Sequence, residues 1–543
     1  MPFVDARRLD PVTRLQTDLC IVGGGAAGIA LARDFIGTGV EVVLLESGGE
    51  RFAHRPQFLY RGENLGIANH ATTHSRFRMF GGSTTRWAGQ CRPLDPIDFE
   101  ARDWLPGSSW PFGYDELEPW YRRAAGVCTL ARAEFAPEPW LADGAVLPAG
   151  GDGLDPVVFQ FSHDKDFAAA YRRALAGAAN VRVVLNASVV DLEADPAMRR
   201  LQAVEARTFN GRALRIGARA CVLACGGIEN ARLLLASNSI APAGLGNQHD
   251  LVGRFFQDHP YLMTGYFVPS RPAYDRGLHV IESFKRVGRE QPAHSGFALS
   301  ERLRREERLT GCVGYFIRRP FAETAPDYFA PGGKAVAHLL DVLRHNQVPD
   351  RRFGRRLADA VRDPGAAGRT LARHAGEIVR RNRCLALRTV LETTPRADSR
   401  VSLSDKRDRF GMPRVRVDWR IDRDDLRALS RLRGLLAETI CRRELGTLVD
   451  DPACDADGWP NSMEGGKHHM GTTRMHADPM GGVVDPDCRV HGLANLYVAG
   501  SSVFPTSGYA NPTLTIVALA LRLADHLKAA LADPRSRLPK PSP

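Results

Sequence analysis

The 543-residue chain carries 73 Lys and Arg against 62 Asp and Glu, with 44% hydrophobic and 25% charged residues. That composition is globular and long enough for two closely packed domains, and no run of about 18 apolar residues predicts a membrane-spanning helix. Eight of the eleven surplus positive charges fall between residues 331 and 390, so overall basicity does not argue for nucleic acid, and no nucleic-acid motif accompanies it.

The N-terminus, MPFVDARRLDPVTRLQ, lacks the apolar core of a signal peptide. The ten cysteines are scattered, with only Cys221 and Cys225 within four residues of each other. That is neither a disulfide framework nor a metal or iron–sulfur spacing, and it fits free buried thiols in a reducing cytoplasm. A cytoplasmic protein is the expectation.

The first strong signal is Thr17–Glu46. Asp18 to Val22 reads as a buried parallel strand, Gly23-x-Gly25-x-x-Gly28 follows at once, and apolar residues then recur at helical spacing. Val42 to Leu45 is a second buried strand ending at Glu46, 18 residues past Gly28. The glycines allow a tight turn, close approach to a pyrophosphate and close helix–strand packing; the helix N-terminus attracts the phosphates. Glu46 is placed to accept hydrogen bonds from a ribose diol.

Next comes Gly81-Gly82-Ser83-Thr84-Thr85-Arg86-Trp87, a loop that lets backbone approach a ligand or is simply a glycine turn. A helix is expected to start within Trp110–Tyr121. Val181 to Leu192 alternates as one strand, with Leu201 to Phe209 as its antiparallel neighbour. Ala220 to Ala224 is a further buried strand that turns through Cys225-Gly226-Gly227 into a helix over 228–236. This second strand–Gly-Gly–helix joint lacks GxGxxG spacing, so it predicts completion of the first sheet rather than a second nucleotide domain. Asp258-His259-Pro260 follows, with His259 read as a hydrogen-bonded structural histidine rather than a catalyst.

Residues 263–464 change character, with alternating runs, Pro- and Asp-rich loops, strands at Val401–Leu403 and Val415–Trp419, and a long amphipathic helix over Asp422–Cys441. The basic part, 331–390, carries the pairs Arg351-Arg352, Arg355-Arg356 and Arg380-Arg381. It reads as a solvated helix face or as a docking surface near a substrate entrance. The chemistry-bearing residues cluster near the end: His468-His469-Met470-Gly471-Thr472, the strand Leu496–Val498 with Ala499-Gly500, and Asn511-Pro512-Thr513 opening an apolar helix. Asn before Pro is also a good helix cap by itself, and two adjacent histidines can be a solvated loop.

Taken in order, these motifs resemble the glucose–methanol–choline (GMC) oxidoreductase family, over nearly the whole chain. The resemblance implies an α/β fold: a Rossmann-like FAD-binding domain from residues 12–135, 180–262 and 465–533, an α+β substrate domain with a largely antiparallel sheet over 263–464, and a flexible tail at 534–543. It implies FAD, with Gly23, Gly25, Ala27, Gly28 and Glu46 at the ADP half and Val189 near the adenine. Gly82, Ser83, Cys225, Gly500, Asn511, Pro512 and Thr513 would line the pyrophosphate and flavin. The family's catalytic histidine stands three residues before a Gly-Thr, which selects His468 over His469; its second catalytic position, His or Asn, falls on Asn511. This pairing looks most like the pyranose oxidase and glycoside 3-oxidase branch. Arg86 occupies the region where some relatives carry a flavin-linking histidine, so non-covalent FAD is expected.

The implied reaction is oxidation of a secondary ring hydroxyl of a sugar or glycoside, with neutral imidazole as the base. A sterol, aryl or aliphatic alcohol, or a non-redox lyase reaction on the same scaffold, is the alternative. The electron acceptor would be oxygen, a quinone-like compound or a redox protein.

Overall fold

The structure, a computed structural model, describes residues 3–67, 69–137, 140, 153–270, 293–318, 330–345, 353–379, 385–450 and 462–532. The tail 534–543, Arg351-Arg352, Arg380-Arg381 and the side chains of Arg355 and Arg356 lie outside the described residues.

Strand Val12–Val22 changes character along its length. Its first residues alternate in exposure, whereas Leu19 to Val22 are buried on both sides, the pattern of a strand entering the middle of a parallel sheet. There it pairs in parallel with Val42–Leu45 on one side and Ala213–Leu223 on the other. Phe3–Asp5, Val181–Leu185 and Leu496–Val498 complete six parallel strands. Ala213–Leu223 serves two neighbours: residues 213–216 pair antiparallel with Leu201–Arg207, and residues 221–223 pair with Leu496–Val498. Leu201–Arg207 continues to an outer strand, Ser188–Ala194.

The run read as one strand from Val181 to Leu192 is therefore two. Asn186 takes a left-handed conformation (φ 60°), its side chain donates to Asp5 and its N–H to the Gly48 carbonyl, and the chain leaves the parallel sheet there. Alternation of apolar residues survives such a break, because both halves stay extended.

Helix Thr513–Ala532 is apolar almost all round and accordingly buried. It packs against Ala26–Asp34 and Tyr114–Val127, with Tyr121 Oη and Thr515 Oγ1 2.9 Å apart. The eight cysteines among the described residues are free, and only Cys441 is exposed.

A second eight-stranded sheet runs Gly446–Asp450, Pro260–Pro269, Leu385–Leu391, Cys312–Arg318, Ala293–Leu299, Leu154–Phe161, Gln90–Cys91, with Glu464–Gly465 against the start of Pro260–Pro269. Its pairings are antiparallel. Two of its strands come from before residue 162. Alternation divides its faces. Leu262, Phe297, Phe316 and Leu387 pack with Leu429, Leu432 and Leu436 of helix Leu426–Arg442. Val157, Phe159, Tyr261, Val313, Tyr315 and Val390 form the other face, joined by Tyr509 from the C-terminal loop. A three-stranded sheet of Arg400–Arg407, Pro413–Trp419 and Gly62–Gly66 packs against the helix Glu229–Ala236.

Candidate active site

The carboxyl ends of the parallel strands gather most of the residues singled out from the sequence. Gly23 has φ +110°, and a Cβ there would lie 2.5 Å from the Ala224 carbonyl; at Gly28 it would lie 1.9 Å from the carbonyl of Gly23 itself. Neither position admits a side chain, which keeps the turn tight and the helix against its strand. Gly25 caps helix Ala26–Asp34, and Ala27 is buried in its first turn. Gly81 N–H donates to the Gly24 carbonyl (2.8 Å), and a Cβ on Gly82 would stand 3.0 Å from Gly25 Cα. The second glycine loop is thus laid on the first, with Ser83 exposed in the turn Gly82–Thr85.

Glu46 is buried and accepts from Gly24 N–H (2.9 Å) and Gly48 N–H (2.7 Å). Burial raises its pKa, against those two donors and the Arg78 charge. Ala187 N–H donates to the Glu46 carbonyl, and Ser47 and Ser188 share a 2.7 Å hydrogen bond, which brings Val189 to the same corner. Cys225 Sγ lies 3.2 Å from the Val22 carbonyl, and burial pushes its thiol up to about 12; it is inert as a nucleophile at neutral pH. Pro512 and Thr513 open the final helix, whose Ile516 N–H donates to the Pro512 carbonyl (2.8 Å).

This edge leaves room for a dinucleotide. Gly25, Gly226 and Gly500 have nothing within 4 Å of where a Cβ would stand, so three strand-end turns present bare backbone to open space beside a helix N-terminus. Arg86 in the neighbouring loop is exposed and offers a guanidinium rather than an imidazole.

His468 is held by segments far apart in the chain. Met470 and Gln257 exchange backbone hydrogen bonds (2.9 and 3.0 Å), Gly466 N–H donates to the His259 carbonyl, and Gly471, Thr473 and Met475 N–H groups donate to Ser501, Ser502 and Val503. Gly227 presses on this segment: a Cβ would come within 2.1 Å of the His469 carbonyl. His468 N–H donates to Asp258 Oδ1 at 2.7 Å. Its Nδ1 lies 3.0 Å from His259 Nδ1, and its Nε2 lies 3.4 Å from Asn511 Nδ2. Asn511 Nδ2 also donates to Tyr261 Oη at 3.4 Å.

Burial, reinforced by His259 and His469, holds the His468 pKa well below its ordinary value. Burial likewise lowers His259 to about 4 and His469 to about 3. It raises Asp258 to about 6, against three backbone N–H groups and the Asn69 amide. At neutral pH the three imidazoles are uncharged, and His468 can accept a proton. His469 has Nε2 4.0 Å from Asp258 Oδ2 and its ring beside Phe256.

Three residues here were not legible in the sequence. His259 is hydrogen-bonded at both ring nitrogens, as expected of a structural histidine, but one of those bonds goes to His468. Tyr261, two residues on, reaches Asn511 because it lies on the sheet face turned towards it. Glu392 is fully buried. It accepts from Arg102 (3.0 and 2.7 Å), Arg304 (3.1 Å), Gly311 N–H (2.6 Å) and Thr506 Oγ1 (2.5 Å). Burial would raise its carboxyl, yet the Arg102 and Arg304 guanidiniums hold it well below the usual range. Through Thr506 it ties down the loop that leads to Asn511.

A family model described as FAD dependent oxidoreductase matches residues 18–244, and one described as GMC oxidoreductase matches residues 395–520. The chain is 26% identical to the paromamine 6'-oxidase of Streptomyces fradiae, over 96% of this chain and 92% of that one. It is 37% identical to the C-glycoside 3-oxidase of Microbacterium trichothecenolyticum over a shorter stretch, 24% of each chain. Among solved structures it resembles pyridoxine 4-oxidase from Mesorbium loti, with TM-score 0.57 and 18% identity over 94% of this chain and 99% of that one.

Proposed function

This chain belongs to the GMC oxidoreductases, FAD-dependent enzymes, and from that premise we propose that it oxidises a secondary ring hydroxyl of a sugar or glycoside to a ketone, with His468 as base. The observation that carries the mechanism is the buried His468 with Nε2 3.4 Å from the Asn511 amide nitrogen, in a setting whose burial lowers its pKa. The names of the relatives, a paromamine 6'-oxidase and a C-glycoside 3-oxidase, support the sugar as substrate class.

FAD, when bound, supplies the hydride acceptor for the carbinol carbon. Gly23, Gly25, Ala27, Gly28, Glu46 and Val189 would hold its adenosine and pyrophosphate half. Gly82, Ser83, Cys225, Gly500, Pro512 and Thr513 would border the rest. The protein's own part is proton handling and orientation. His468 Nε2 takes the hydroxyl proton, and a positioned base of this kind contributes about 10²–10⁴-fold. The Asn511 amide N–H donates to the developing alkoxide oxygen without competing for the proton. Tyr261 orients Asn511 from the sheet face. With no histidine at Arg86, FAD is held non-covalently and acid or urea releases it.

Anaerobic mixing of the holoenzyme with aldohexoses, their methyl glycosides and aryl alcohols tests the proposal. The expected result is bleaching of the flavin by a sugar, with a ring-ketone product (a ketoaldose or ketoglycoside, two hydrogens lighter than the substrate) identified by mass and NMR. An aldehyde at the exocyclic carbon would shift the reading to a primary hydroxyl. Bleaching by aryl alcohols alone would overturn the sugar class.

A further inference from the structure

His468 has two ring nitrogens, and only one can be the base. Its Nδ1 faces His259 Nδ1 at 3.0 Å, nitrogen to nitrogen, so one of the pair must donate and the other accept. The other side of His259 decides which. His259 Nε2 lies 2.9 Å from the Gly508 carbonyl and 3.4 Å from that of Ser507. Carbonyl oxygens only accept, so His259 Nε2 carries the proton. An uncharged His259 then has a bare Nδ1, and His468 must donate to it through Nδ1–H. His468 Nε2 is left without a proton, facing Asn511 Nδ2, itself a donor. The contact at the far end of the chain, in which Asn511 can only donate, agrees with the assignment begun at Gly508.

We propose that His259 is a positioning residue: it reads the Gly508 carbonyl and fixes the proton of His468 on Nδ1, so that Nε2 stands ready as the base. This rests on the reading of His468 as the base. The carbonyl that sets the relay is itself immobilised. Ser507 N–H donates to Gln257 Oε1 (3.0 Å), Thr506 is tied to Glu392, and a Cβ on Gly508 would meet Asp98 Oδ2 at 2.6 Å. Because Gly508 lies three residues before Asn511, one loop places both the amide donor and the carbonyl that orients the base. When Nε2 takes the substrate proton, the imidazolium keeps its Nδ1–H bond to the His259 lone pair, so no second proton has to move. The charged and titratable groups around the pair are Asp258, Tyr261, Arg388, Glu392, Lys467 and His469.

Two measurements test this. The first is the ring-¹⁵N spectrum of histidine-labelled oxidised holoenzyme at neutral pH, with His468→Gln to assign the resonances. The expected state of His468 has a protonated Nδ1 and a bare Nε2; the reverse tautomer overturns the proposal. The second is the limiting rate of anaerobic flavin reduction by whichever aldohexose or methyl glycoside reduces the parent fastest. His259→Leu removes the acceptor and should slow reduction by ~10-fold or more, below the ceiling of about 10²–10⁴ for losing the base itself. It should leave substrate affinity little changed. His259→Asn, whose amide oxygen stands where Nδ1 stood, should recover most of the rate. If His468→Ala reduces its flavin as fast as the parent, the base assignment falls. If His468→Ala is slow but both His259 variants match the parent, only the positioning role falls. Should His259→Leu not yield folded protein, the ¹⁵N spectrum still decides, and equal rates in His259→Asn and His468→Ala would overturn the proposal.

Discussion

The turn at Gly23–Gly28 and the group around His468 are proposed to serve one reaction, yet they are built in opposite ways. The turn is local: a strand, three glycines, a helix and Glu46 lie within thirty residues, and its shape follows from where side chains are impossible. The His468 group draws on residues 258–261, 468–469 and 508–511, and its working state follows from hydrogen bonds between them. A steric site fails when an atom is added. A relay of donors and acceptors fails when one is removed, even if the volume stays the same.

Adding atoms to the turn should have the largest effect. Gly28→Val places side-chain carbon where a Cβ already meets the Gly23 carbonyl at 1.9 Å, so helix and strand must part. The expected outcome is no FAD-loaded protein after purification, read from the absorbance ratio of flavin to protein. A yellow, fully loaded variant would mean that the turn is as adaptable as the relay.

Removing the base leaves the turn untouched. His468→Ala should bind FAD normally and lower the limiting rate of flavin reduction by at least ~10²-fold, as measured by stopped flow. Loss of FAD together with activity would blur the distinction between the two sites.

The support beneath Asn511 should show as stability. Glu392→Gln leaves the buried Arg102 and Arg304 to share Asp98 as their one fully buried counter-charge. Breaking such a pair costs about 3–5 kcal/mol, seen as a lower denaturation midpoint. An unchanged midpoint would mean that the charges are solvated in the folded protein.

His469 sharpens the comparison at its small end, because it adjoins the base yet faces Asp258. His469→Gln should reduce flavin at nearly the parent rate. Its signature is pH-dependent stability. Burial lowers the folded-state pKa of His469 to about 3 from 6.5, so the unfolded chain binds the proton more tightly and the neutral form stabilises the fold above about pH 6.5. That contribution falls away as pH drops from 6.5 towards 3. The parent's Tm relative to the variant should therefore decline across that window; a constant difference would show that His469 titrates alike folded and unfolded. Comparing the two proteins cancels the opposite trend of Asp258, raised to about 6.

The sequence by itself determined the parts whose cause is local. Apolar runs of β-branched residues specify buried strands, Gly23 and Gly28 specify a turn that admits no side chain at either position, and Glu46 follows at the end of the next strand. His468 and Asn511 were singled out through their place in motifs that resemble a family, and the fold brings them within 3.4 Å of each other. Only the tertiary structure decided the rest. Asn186 turns one alternating run into two strands in different parts of the sheet, which periodicity cannot register because both halves are extended. Leu154–Phe161 joins a sheet whose other long strands lie more than a hundred residues later, since strand pairing depends on edges meeting in space. His259 looked structural because any buried histidine with two partners does. What makes it part of the site is the identity of those partners, a carbonyl at Gly508 and an imidazole at residue 468, and a hydrogen-bond partner some two hundred residues away leaves no mark on the local sequence.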